Sequence, residues 1–260
     1  MMTKKQMDSD DKDISRHLEN LKNLKDDKKY YGKFGKQWLS NSDIYTLLNN
    51  PKEFGKPQAE TKAMLEGRFF HTAMLEKEKL DDFILIDASS RNTKAYKEAV
   101  NSEDNKMCLL VHEAEKIFKL VDSMKANMQM HGDIYEESNQ YELPMIKNIH
   151  GKFWKGKADI VTTEKIIDLK TTSDISKFVY SASKYNYDSQ AFIYQELFGL
   201  PMEFYVIDKN THQLAIYTPS DDFIHKGSLK VLEALQVHDK FFCDDLFAED
   251  IEQFIHYETL

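Results

Sequence analysis

Residues 154–170, WKGKADIVTTEKIIDLK, decide how this chain is read. Two apolar-rich runs, 149–161 and 166–170, flank the polar loop Thr162-Thr163-Glu164-Lys165, the pattern of a hairpin. With those four residues as the loop, Val161 faces Ile166, Ile160 faces Ile167 and Asp159 faces Asp168. Directly opposed residues on antiparallel strands put their side chains on one face, with Cβ atoms roughly 4.5–5.5 Å apart. The two-residue period places Lys170 on the Asp168 face and sends Ile167 and Leu169 into the core. Two carboxylates so placed repel each other, and a bound hard cation such as Mg²⁺ or Mn²⁺ removes the repulsion. Lys157 and Lys170 could neutralise the same acids without a metal.

Working outward, residues 136–143 read as a third strand joined to the hairpin through Pro144. Ser173-Asp174 can cap a helix over 175–184, and a second helix, 188–198, stops at Gly199-Leu200-Pro201. Residues 202–208 and 213–218 read as strands around a Lys209-Asn210 turn, and the chain is helical from Ser220 to near its end. Upstream, Ser40-Asn41-Ser42 offers caps for a short helix that must stop near Pro51. Helical spacing of Met64, Leu65, Phe69, Met74 and Leu75 marks 61–75; 83–86 is a strand candidate, and 91–104 and 111–130 are helical. There is no internal repeat. This order predicts an α/β domain with a central mixed sheet flanked by helices. Residues 1–37 read as a polar, flexible leader, 38–220 as the main domain, and 221–260 as an acidic helical segment packed on it. Within the leader, Lys25, Lys28, Lys29, Lys33 and Lys36 interleave with Tyr30, Tyr31 and Phe34, with Trp38 just beyond. Such a stretch can bind nucleic acid, but a surface strap is the commoner use.

At 260 residues and 30.5 kDa, the chain can bury roughly three-quarters of its unfolded surface and needs no disulfide or metal staples. No apolar run approaches the roughly 18 residues of a membrane helix, and no apolar stretch follows the first lysines as in a secretory signal. Cys108 and Cys243 cannot build a four-cysteine zinc or iron–sulfur site, so a reduced, cytoplasmic setting is expected. His112-Glu113-Ala114-Glu115-Lys116 lacks the second histidine of a zinc protease helix, and no glycine-rich nucleotide loop is present. The net charge is −9, yet 221–260 alone carries ten acids against three lysines. The rest is nearly balanced and can still carry a basic groove.

Gly156-Lys157-Ala158-Asp159 followed by Asp168-Leu169-Lys170-Thr171-Thr172 resembles the core of the PD-(D/E)XK nucleases, with Ala158 where the superfamily name has proline. More closely, the chain is similar to the RecE-type exonucleases (exodeoxyribonuclease VIII) and their phage relatives. Three further segments carry this: 39–42 through 50–54, Glu66-Gly67-Arg68-Phe69-Phe70-His71, and Gln190-Ala191-Phe192-Ile193-Tyr194. The resemblance spans roughly 38–220; the 221–260 segment matches nothing in it. It implies a restriction-endonuclease-like core and a Mg²⁺-dependent exonuclease, with Mn²⁺ as substitute and one or two ions. Asp159, Asp168 and the Leu169 carbonyl would ligate the metal, with His71 as a further ligand and Glu142 as an extra carboxylate. Lys170 would position the attacking water and stabilise the transition state, since an ammonium beside two carboxylates stays charged. Gln190 and Tyr194, four residues apart on one helix face, would help hold the lysine or the DNA end. Arg68, Thr171 and Thr172 are candidate phosphate contacts. The resemblance further implies 5′-to-3′ degradation of linear double-stranded DNA, leaving 3′ overhangs for a single-strand annealing recombinase. It also implies a ring-shaped homo-oligomer. The alternatives are a single-strand-specific or endonucleolytic enzyme, or a catalytically silent module that binds DNA ends.

Overall fold

The computed structural model describes residues 4–102, 107–243 and 249–255. In chain order it has helices α1 (Lys4–Leu24), α2 (Asp27–Tyr31), α3 (Asn41–Asn49) and α4 (Lys62–Leu75), strand β1 (Leu85–Ile86), helix α5 (Lys94–Ser102), strand β2 (Leu109–Leu110), and helices α6 (Val111–Ala126) and α7 (Met128–Ile134). Strands β3 (Gln140–Ile149), β4 (Lys152–Val161) and β5 (Ile166–Thr172) follow, then helices α8 (Phe178–Lys184) and α9 (Tyr187–Phe198). Strands β6 (Met202–Asp208) and β7 (Leu214–Tyr217) and helix α10 (Asp221–Phe242) complete the chain.

The main sheet runs β3-β4-β5-β6-β7. Only β5 and β6 are parallel, so the sheet is mixed, as expected. A parallel pair needs a long crossover, and α8 and α9 supply it. One face packs Trp154, Ile166, Phe204 and Val206 against residues of α3, α8, α9 and α10. The other packs Ile160, Ile167, Leu169, Tyr205 and Ile207 against α4, α6 and α7. Layers on both faces leave most of β4 and the first half of β5 buried, the charged residues of β4 included. The loop at 162–165 closes as expected: the Thr162 amide donates to the Lys165 carbonyl, and Val161 and Ile160 pair with Ile166 and Ile167. Helix α10 buries Val231, Ala234 and Leu235, the valine and the leucine contributing about 1.5–3 kcal/mol each and the alanine methyl less.

Several expectations need correction. Pro144 lies inside β3, paired with Lys157, and does not join two strands. A proline lacks an amide donor and is tolerated there because β3 is an edge strand. The actual turn is His150-Gly151, both left-handed (φ 52° and 85°), the geometry a two-residue hairpin requires. The leader is docked in part, because its Leu24 and Tyr30, with Trp38 just beyond it, are buried against Ile146 of β3. This stretch lies along the edge of the sheet as a strap. The helix foreseen over 111–130 breaks at Asn127, whose side chain caps α7 through the Met130 amide. Strand β2, pairing in parallel with β1, was not foreseen; two residues are too few to show a period. The C-terminal helix stops at Phe242, and residues 244–248 and 256–260 of the expected helical segment lie outside the described residues, as do 103 and 104 of the 91–104 helix.

Candidate active site

The side-chain alternation of β4 slips at one residue. Ala158 packs in the α9 layer, Ile160 in the α4 layer and Val161 in the α9 layer again, so the phase shifts at Asp159. Opposite it on β3, Glu142 takes a left-handed φ of 46°, and the Glu142–Asp159 position is unpaired between Tyr141–Ile160 and Leu143–Ala158. The β4–β5 ladder is also unpaired beyond Ile160–Ile167. In place of the backbone pair, Asp159 Oδ2 accepts the Leu169 amide at 2.8 Å. The strands therefore part where the sequence placed two opposed aspartates, and Asp159 bridges the parting.

Helix α4 brings His71 to the same carboxylate, with Nδ1 3.2 Å from Asp159 Oδ2. Ligand atoms of His71, Glu142 and Asp159 all lie within 4.8 Å of one another. Burial pushes the Glu142 carboxyl up, and the neighbouring Asp159 adds to this, to about 8. Burial opposes charge on His71, but Asp159 outweighs it and raises the imidazole to about 9. Burial likewise opposes ionisation of Asp159, and His71, Lys170 and the Leu169 amide together hold it below the usual carboxylate range. Two carboxylates and an imidazole at this separation form a donor set that fits one hard or borderline divalent cation. Such an ion would also neutralise the negative charge that Glu142 otherwise relieves by keeping a proton.

Asp168 points into a second, adjoining group. Its Oδ1 accepts from Gln190 Nε2 at 2.6 Å, and its Oδ2 contacts the Lys170 ammonium. Burial, reinforced by Asp159, raises the Asp168 carboxyl despite Lys170. Burial disfavours the charged Lys170, but Asp168 more than offsets it and raises that lysine, so the ammonium stays charged. Beneath it lies Tyr187, whose ring centre is 4.9 Å from Nζ. Asp168 thus lies outside the three-residue cluster, engaged by Lys170 and Gln190.

The remaining candidates fall differently. Tyr194, expected at the DNA, is buried; its hydroxyl donates to the Lys157 carbonyl at 3.0 Å and so ties α9 to β4. Gly156 permits this approach, since a Cβ there would lie 2.6 Å from Leu197 Cδ1 and 3.1 Å from the Tyr194 ring. Arg68, one turn before His71, is held by Glu60 in a two-pronged pair and lies over Phe83. Thr172 caps the turn at Asp174, so its hydroxyl is already engaged. Thr171 is half-buried on β5, and Leu169 reaches the site with its amide. Lys157 turns away from Asp168 to Asp27 of the N-terminal strap, with Glu142 3.9 Å away. Asp27 and Tyr187 were missed; Asp27 sits in a charged run with no period, and Tyr187 had no signal but its place before the Gln190 helix.

The sequence profile of a PDDEXK-like domain of unknown function (DUF3799) matches residues 37–243. Among solved structures, the chain is similar to a protein of Eubacterium rectale described as a candidate exonuclease. The identity is 19% and the TM-score 0.59, over 81% of this chain and 85% of that one. A phage-related exonuclease from Haemophilus somnus aligns at 15% identity and a TM-score of 0.33, over 78% of this chain and 93% of that one. No curated protein matches this chain. No described helix is long and apolar enough to cross a membrane.

Proposed function

Because the chain belongs to the family of PDDEXK-like domains of unknown function (DUF3799), we propose that it is a divalent-metal-dependent nuclease, specifically an exonuclease of linear double-stranded DNA. The observation that carries this reading is the parting of β4 from β5. It sets the His71–Glu142–Asp159 cluster beside the Asp168–Lys170–Gln190 group. His71, Glu142 and Asp159 would hold the ion, Mg²⁺ or Mn²⁺, with Asp168 and the Leu169 carbonyl as further oxygens. When bound, the ion supplies Lewis acidity and neutralises charge on the phosphate.

Lys170 does the rest of the electrostatic work. Held charged by Asp168, it orients the attacking water and stabilises charge building on the phosphate oxygens, and it is not the base. Gln190 fixes the Asp168 carboxylate so that Lys170 is aimed the same way before and during the step. One P–O bond forms to the water oxygen and one breaks to the sugar oxygen, which leaves as a hydroxyl. By resemblance, degradation runs 5′ to 3′ and leaves 3′ overhangs for a single-strand annealing recombinase. The enzyme would act as a ring-shaped homo-oligomer in the cytoplasm, the host's if phage-encoded. The test is loss of linear duplex with Mg²⁺ or Mn²⁺ and its absence with EDTA. Asp168→Ala and Lys170→Ala should each lower the rate by at least about a hundredfold. Wild-type rates in either variant would refute the site assignment, and DNA-end binding without shortening would favour the silent module.

A further inference from the structure

Tyr185, in the turn between α8 and α9, is 61% exposed, and Tyr180 on α8 is exposed as well. An exposed tyrosine on a loose surface needs no explanation. Here the backbone that presents it is fixed from both sides. Lys230 of α10 donates to the Ser183 carbonyl at 2.6 Å and to Asn186 Oδ1 at 3.1 Å, and pairs with Asp188 at 2.9 Å. The Asn186 carbonyl accepts from Asn41 Nδ2 at 3.1 Å, and Asn186 itself is buried in a left-handed conformation. The fold thus commits two other elements, α10 and α3, to holding this turn while leaving its aromatic ring in solvent.

The ring also lies next to the chemistry. Tyr187 stands 4.9 Å from Lys170 Nζ, and the Tyr185 ring centre is 6.0 Å from that of Tyr187. Tyr185 is therefore no more than about 11 Å from the lysine ammonium, the reach of one or two nucleotides of single strand. The exposed Lys184 beside it adds a positive charge. We infer that Tyr185 is a stacking platform for a base of the strand being cut, one or two nucleotides from the scissile phosphate. The ligand class is single-stranded nucleic acid at the frayed end of the substrate. The inference rests on the nuclease reading. Pre-ordering the turn means that stacking does not have to order the loop first.

The probe is a 12-nucleotide single strand with 2-aminopurine near its 5′ end, mixed with the full chain and Ca²⁺ in place of Mg²⁺ so that nothing is cut. Stacking on tyrosine quenches the fluorophore. Tyr185→Ala should weaken binding roughly 5- to 100-fold and abolish the quench, by the usual worth of one base–aromatic stack. Tyr185→Phe should retain both, and Tyr45→Ala, an exposed tyrosine on α3, should leave both unchanged. Unaltered affinity and quench in Tyr185→Ala, with wild type degrading linear DNA in Mg²⁺, would overturn the platform alone. A wild type that neither binds the strand nor degrades DNA would overturn the nuclease reading, and the platform with it.

Discussion

Adding Mn²⁺ to the metal-free protein at pH 8.5 should raise its Tm, and Glu142→Gln should remove most of that rise. Two carboxylates no more than 4.8 Å apart repel by at least about 3.5 kcal/mol at an effective dielectric of about 20. A bound divalent ion cancels that repulsion. An ion at a hundred times its Kd stabilises by about 2.7 kcal/mol, which in a chain of this size is about 5–10 °C. Protons compete for the same atoms: Glu142 titrates near 8 and His71 near 9, so both hold protons at pH 6.5. The cation-induced rise should therefore be small at pH 6.5 and grow up to about pH 9. Glu142→Gln removes a half-buried acid facing Asp159, so the metal-free variant should melt at or above wild type while responding weakly to Mn²⁺. Calorimetry with and without EDTA, at three pH values, reads all of this. An equal Mn²⁺ response in wild type and Glu142→Gln, or a response that shrinks as pH rises, would refute the reasoning.

Tyr194→Phe should cost about 1 kcal/mol, a Tm drop of a few degrees, while DNA affinity stays within about twofold. A tenfold affinity loss at unchanged Tm would restore Tyr194 as a DNA contact. Gly156→Ala should destabilise by about 1–3 kcal/mol, because its Cβ meets Leu197 and Tyr194; a variant as stable as wild type would show that α9 can shift. Buried Glu113 binds Arg91, Lys62 and the Leu110 amide. Burial opposes its ionisation, but these partners outweigh it and bring the carboxyl to about 2. The folded value lies below the unfolded one. Its contribution, about 3 kcal/mol, is thus complete above about pH 4.5 and lost as pH falls toward 2. Glu113→Gln should flatten that acid limb of urea denaturation, and an unchanged limb would count against the assignment.

The hairpin register was legible because a four-residue loop and a two-residue period leave little choice, and they set Asp159 opposite Asp168. What the period could not give is the slip at Asp159. There, side-chain hydrogen bonding to the Leu169 amide replaces the backbone pair, and Asp159 turns to His71 and Glu142 while Asp168 turns to Lys170. The left-handed Glu142 has no local sequence signal, since glutamate is not a residue that favours that conformation. Gln190 was found by its motif, whereas Tyr187 and Asp27 were visible only through tertiary contacts. The strap docks through Leu24 and Tyr30, two apolar residues in a charged run too sparse to show a face.

The most direct test of the central claim uses linear duplex labelled at the 5′ or the 3′ end, beside closed circular duplex, with Mg²⁺ or EDTA. The account predicts metal-dependent loss of the linear DNA alone, with the 5′ label released early. Cutting of the closed circle would contradict the exonuclease reading, and no loss of either DNA under Mg²⁺ or Mn²⁺ would contradict the nuclease itself.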